Sequence, residues 1–189
     1  MESQEFSGEV FDQARLEGFQ FASHEFYGCE FHGLRGAEIS FELAVFVDCK
    51  FVACDLSNAS LKNARFKGVT FSSSKLLGLD WTRARDLGRL EFEECNLSLS
   101  NFTALDLRRM KLTGCRAHEV HFAQANLSQA EMRETDFLRC EFAGSNLEGA
   151  DFKGARNYDI HPGKCRLTGA KFSLPEAVVL LRGLGIILE

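Results

Sequence analysis

The chain has 189 residues, is 45% hydrophobic and carries a formal net charge of −5. That length allows one domain with a buried core. The acidic balance argues against a protein that grips nucleic acid by its phosphates, which needs a basic surface. No run of about 18 apolar residues occurs, so nothing is expected to span a membrane.

The amino terminus, MESQEFSGEV, is acidic and lacks the apolar stretch of a secretory signal. From Phe6 a large apolar residue returns every fifth place, through Phe11, Leu16, Phe21, Phe26 and Phe31, then from Phe41 to Trp81. A helix repeats at about 3.6 and a half-buried strand at about 2, so this period belongs to neither. One extra residue enters within 82–86, and the phase resumes at Leu87 and runs to Phe172 through a weak patch at Asn157 and Pro162. Thirty of 34 such positions are Phe, Leu, Met or Trp. A small residue stands two places before most of them.

A second period lies inside the first. Phe11, Phe31, Phe51 and Phe71 are 20 apart, and Leu87, Leu107, Leu127, Leu147 and Leu167 form an unbroken column at the same spacing. Residues 20 apart share an identity, as they would if stacked on one another. Four five-residue units therefore make one turn of a square coil, with the large and small positions pointing inward and the rest facing water. The fold class this predicts is an all-β solenoid, a quadrilateral β-helix of roughly eight coils over 1–172 at strand spacing. Both ends of such a stack need caps.

After the last repeat, FSLPEAVVLLRGLGIILE predicts a carboxy-terminal helix and tail over 173–189. Ser173 and Glu176 have capping-box spacing and Pro175 falls in the first turn. Leu174, Ala177, Val178, Leu181 and Leu184 make an apolar face, ended by Gly183 and Gly185. Ile186 and Ile187 add apolar surface that needs a partner, so this segment is read as both cap and dimer interface, the competing reading being a cap alone.

All seven cysteines (Cys29, Cys49, Cys54, Cys95, Cys115, Cys140, Cys165) occupy the small inward slot, as buried hydrophobes do. None has the C-x-x-C spacing of a zinc or redox site. Their odd number, without a signal peptide, fits a reduced, cytoplasmic chain. His118 and His121 form an H-x-x-H in outward slots without a third ligand nearby. No hydrolase, P-loop, dinucleotide or zincin motif occurs. The expectation is therefore no enzyme, no catalytic residues, no metal and no cofactor.

The units ANLSQ (125–129), SNLEG (145–149) and ADFKG (150–154) resemble the A-(D/N)-L-x-x motif of the pentapeptide repeat family. The resemblance covers about residues 4–172 and implies a right-handed quadrilateral β-helix. The carboxy-terminal segment looks like that of the Qnr-like quinolone-resistance proteins and their microcin- and albicidin-immunity relatives. That likeness implies a homodimer joined through this helix, and a rod that imitates DNA to occupy a type II topoisomerase such as DNA gyrase. Qnr proteins carry two long loops between repeats. This chain has only a one-residue break, which is closer to the loop-less mycobacterial type.

Charge is distributed unevenly. Residues 1–48 sum to −8, residues 49–86 to +4 and the remainder to −1. Duplex DNA carries about one charge per 1.7 Å, so the first 48 residues, roughly 12 Å of rod, match its linear density. Glu17, Glu25, Glu30, Glu38, Glu42 and Asp48 occupy outward slots there and are the candidate partner-binding surface. The competing reading is that they keep the rod soluble and its exposed β edge from pairing. At the level of function, a β-helical scaffold for some other protein partner stands beside the topoisomerase reading.

Overall fold

The computed structural model describes residues 3–12, 18–36 and 39–187. Short strands come in pairs, one pair per coil. They are β1 (Glu5–Ser7) and β2 (Val10–Phe11), β3 (Glu25–Tyr27) and β4 (Glu30–His32), β5 (Val45–Val47) and β6 (Lys50–Val52). The next pairs are β7 (Arg65–Lys67) and β8 (Val69–Ser72), then β9 (Asp86–Leu87) and β10 (Leu90–Glu93). Three more follow: β11 (Lys111–Thr113), β12 (Asp151–Phe152) and β13 (Lys171–Phe172). All pairing is parallel. One sheet runs β1-β3-β5-β7-β9, a second β2-β4-β6-β8-β10-β11, and β12 pairs with β13. Single bridges continue the ladders along the other sides, as at Ser40–Ser60 and Asn126–Asn146. The result is a β-solenoid of about eight turns.

The register is the sequence period made physical. Phe6 lies opposite Phe26, and Phe31 opposite Phe51, 20 residues on. Across the one-residue insertion the offset becomes 21, with Phe71 opposite Phe92 and Asp80 opposite Asn101. It returns to 20 at Glu91 and Lys111. A 3-10 turn, Trp81–Arg83, absorbs the insertion, and Asp80 caps it by accepting from the Thr82 backbone N–H at 3.2 Å. Trp81 is fully buried and stacks on Phe102 at 5.4 Å.

Phe11, Phe31, Phe51, Phe71, Leu107, Leu127 and Leu147 are buried. Leu87 and Leu167 of the same columns are only half-buried. In the weak patch the core is refilled out of phase by Tyr158 and Ile160, both buried. Most corners, two places after the large residue, have a left-handed backbone, as at Asn58 (φ 58°) and Gln129 (φ 59°). The repeat's Asn or Asp holds that corner. Asn96 Oδ1 accepts from the Ser98 N–H at 3.1 Å, and Asn146 Oδ1 from the Glu148 N–H at 3.1 Å.

The small slot has a polar logic that hydrophobicity alone misses. Cys54 Sγ donates to Phe31 O at 3.3 Å, Ser100 Oγ to Leu76 O at 2.9 Å and Thr135 Oγ1 to Leu112 O at 3.0 Å. A thiol or hydroxyl there meets a carbonyl of the preceding coil, so Cys, Ser and Thr interchange without leaving a buried donor unmade. Burial pushes the Cys49 and Cys54 thiols up to about 11 and Cys140 to about 12, so they stay protonated.

The carboxy-terminal helix is shorter than the pattern predicts. Residues 174–177 form turns, and α1 spans only Val178–Arg182. The capping box does not form: Ala177 is the N-cap, with no side-chain cap bond. Ser173 Oγ is instead turned to the last coil, where it accepts the Gly154 N–H at 3.1 Å. The end signal sits at Gly185 (φ 76°), where Ile186 N–H donates to Leu181 O at 3.1 Å and Gly185 N–H to Arg182 O at 2.9 Å.

Candidate functional site: the acidic end of the rod

Stacking spreads the described candidate acids over adjoining sides of the first coils. Glu25 projects from β3 and Glu30 from β4 on the adjoining side. Glu42 stands at the corner before β5, and Asp48 at the corner between β5 and β6 (φ 52°). Glu17 and Glu38 lie outside the described residues.

Two of the four are compensated by the next coil. Lys50 Nζ lies 2.9 Å from Glu30 Oε1, and Lys62 Nζ 2.6 Å from Glu42 Oε1. The Lys50 hydrogen bond, with one from His32, holds the Glu30 carboxyl below its ordinary range. The basic segment thus stacks onto the acidic one, because a period of 20 carries Lys50 over Glu30. Glu25 and Asp48 form no ion pair with a base among the described residues. Glu25 Oε2 accepts from Tyr27 Oη at 2.6 Å, which raises the tyrosine's pKa.

At the other end, Val179 and Leu180 pack against the last coil. Ala177 and Val178 are half-buried, whereas Leu174, Leu181, Leu184, Ile186 and Ile187 are exposed, Ile187 by 87%. The exposed set therefore faces away from the rod.

The two histidines of the H-x-x-H do not converge. His118 Nε2 lies 3.3 Å from Asp136 Oδ2, and His121 Nδ1 lies 3.1 Å from Glu141 Oε2 on another side. Among the described residues no three His, Cys, Asp or Glu side chains gather as a metal site would. No helix among them is long and apolar enough to cross a membrane. Asp136 sits in a network the sequence did not signal. It accepts from Asn157 Nδ2 at 2.8 Å and Arg156 Nε at 3.1 Å, one coil on. Burial works to raise its carboxyl, but the bonds from Asn157 and Arg156, with the His118 ring 3.3 Å away, outweigh it and hold it low.

Two family models match the chain, pentapeptide repeats (8 copies) over residues 39–85 and the pentapeptide repeat region over 85–172. Together they run without a gap from residue 39 to residue 172. The chain belongs to the pentapeptide repeat family. Among solved pentapeptide repeat and related structures, the chain is similar to full-length QnrB1, a plasmid-mediated fluoroquinolone resistance protein. The two are 18% identical, the match covers 97% of this chain and 98% of that one, and the TM-score is 0.53. It is also similar to HetL of the cyanobacterium Nostoc, involved in heterocyst differentiation regulation, at 15% identity over 89% of this chain and 85% of that one, with a TM-score of 0.35. No curated protein sequence is detectably similar. The pentapeptide repeat solenoid is a scaffold fold.

Proposed function

We propose that this pentapeptide repeat protein binds a type II topoisomerase, DNA gyrase in the first instance, at the surface that otherwise holds DNA. The observation that carries the reading is the acidic surface of the first coils, where Glu25 and Asp48 form no ion pair among the described residues, on a chain whose opening 48 residues sum to −8. The full-length likeness to QnrB1 supports it as a relation of fold. In this reading the protein is cytoplasmic and a homodimer joined through Leu174, Leu181, Leu184, Ile186 and Ile187. The acidic ends lie at the two outer tips, and the protein binds neither nucleic acid nor membrane itself.

A specific observation favours a second reading, a β-helical scaffold for another protein partner. Lys50 and Lys62 neutralise half of the described acidic set, which a DNA mimic would not want. One titration separates the two. Purified protein is added to a gyrase supercoiling assay, with and without a fluoroquinolone. Inhibition without drug at low micromolar protein is expected for the mimic, and restored supercoiling with drug would add protection. No effect in either lane from folded dimer sinks the topoisomerase reading and leaves the scaffold.

A further inference from the structure

The wall of the solenoid has a breach. β9 pairs with β7 on one edge, Arg65 opposite Asp86, and Asp106 bridges to Asn126 on the far side. Between them, among the described residues, no bridge or backbone hydrogen bond joins Asp86–Leu87 to Asp106–Leu107. The other three sides of these coils are closed at Glu91–Lys111, Asn96–Arg116 and Asn101–His121. Among the described residues, no bond from the Leu87 or Asp106 N–H, whose counterparts elsewhere cross to the neighbouring coil, crosses this gap. A cleft of about 570 Å³ occupies the place, lined by Leu87, Gly88, Asp106, Arg108, Arg109, Ser128 and Gln129. Leu87 and Leu105 are half-buried there, where the stacked Phe66 and Ala125 are buried.

The rim is basic. Arg108 and Arg109 line the cleft, and Arg83 and Arg85 stand on the segment that enters it. Arg83, Arg85 and Arg109 form no ion pair among the described residues, while Arg108 is held by Asp106 at 2.8 Å. Two open parallel edges, half-exposed leucines behind them and guanidinium groups in front set out the chemistry of one occupant. We propose that the breach accepts an extended acidic segment of a partner protein, added as a parallel strand. Its backbone satisfies the open edges, alternate apolar side chains cover Leu87 and Leu105, and the intervening carboxylates meet the arginines. This does not depend on the topoisomerase reading, which uses the opposite charge on the first coils, away from this mid-rod gap.

The probe is the blocked peptide Glu-Val-Glu-Val-Glu, titrated into the ¹⁵N-labelled full chain. Expected are amide shifts at Leu87–Arg89 and Asp106–Arg108 and a Kd below about 1 mM. Binding should weaken at least roughly tenfold in the Arg85→Glu/Arg109→Glu double variant, whose side chains lie outside the core. The Lys-Val-Lys-Val-Lys peptide should not bind. An analogue N-methylated on its valines has the same charge but loses the N–H donors of one edge, so it cannot join both open edges, and should also fail. Equal binding of the methylated analogue, shifts elsewhere, or no shift overturns the proposal. So does hydrogen exchange in which the free protein protects Leu87 and Asp106 as strongly as Lys111 and His121, because the breach would then be closed in solution.

Discussion

Phe31 lies flat on Phe51, ring centroids 4.6 Å apart and planes inclined by 15°. It belongs to a stack that runs from Phe11 through Phe71 to Phe92 at 4.6 to 5.3 Å per step. Rings in register touch above and below as well as across the coil, so each side chain is shared by three coils. Phe51→Ala should therefore cost about 3–5 kcal/mol, the upper range for core truncation, because stacked coils cannot collapse into the hole. Phe51→Leu keeps most of the volume and should cost under about 1.5 kcal/mol. Denaturant unfolding followed by the fluorescence of Trp81, the single tryptophan, measures both.

Corner glycines differ in what stands above them. Gly68 (φ 65°) has Asp48 Oδ1 in the space a Cβ would take, whereas nothing lies within 4 Å of such an atom at Gly8 (φ 63°). Alanine at either position takes on the left-handed cost of about 1–2 kcal/mol. Gly68→Ala must also push Asp48 aside, and should lower the melting temperature more than Gly8→Ala. Equal losses would mean that the corner stack yields freely.

The Asp136 network makes a pH prediction. Its folded carboxyl is held below the ordinary 3.8, so its contribution is present above that value and is lost as pH falls through the lower, folded one. Melting temperature should therefore drop as pH is taken from 5 to below about 3. In Asp136→Asn the drop should be shallower and the stability at neutral pH lower. An unchanged slope would assign the acid sensitivity to other carboxylates, with Asp151, buried and 2.8 Å from Arg133, the next to test.

The exposed carboxy-terminal apolar set predicts its own separation from folding. Leu184→Asp/Ile187→Asp touches residues that are 58% and 87% exposed, so the rod should stay folded. If a second copy covers this end, sedimentation equilibrium should show dimer giving way to monomer. A wild-type monomer at tens of micromolar would remove the dimer from the proposed function.

Charge offers a two-way check on topoisomerase binding. Glu25→Lys/Asp48→Lys should raise the protein concentration needed for half-inhibition of supercoiling by about tenfold or more. Lys50→Glu/Lys62→Glu, which unmasks Glu30 and Glu42, should lower it. Exposed ion pairs contribute little to stability, about 0–1 kcal/mol, so Lys50→Glu/Lys62→Glu should melt close to wild type. A shift in the same direction for both would point to general disruption rather than mimicry.

Several features are legible in the sequence. The columns of Phe11 and Leu107, the inward cysteines and the break at 82–86 could all be read from spacing, because one five-residue unit makes one side of the coil. The capping box at Ser173 was misleading for a local reason, since the hydroxyl had a nearer donor in Gly154, 19 residues back. The masking of Glu30 by Lys50 was present in the sequence as an offset of 20, and counting charge by segment averaged it away. Tyr158 and Ile160 were hidden because the chain leaves phase there and two neighbouring slots take over the filling.

The sequence by itself determined the coil, its period, its inward residues and the place where the period slips, since each depends on contacts between units of fixed length. Tertiary structure decided which acids stay uncompensated, which apolar residues of the last segment face outward, and where the wall fails to close. Those depend on side chains and edges meeting across coils, where a single inserted residue after Trp81 leaves Leu87 and Leu107 in the same column and their backbones apart.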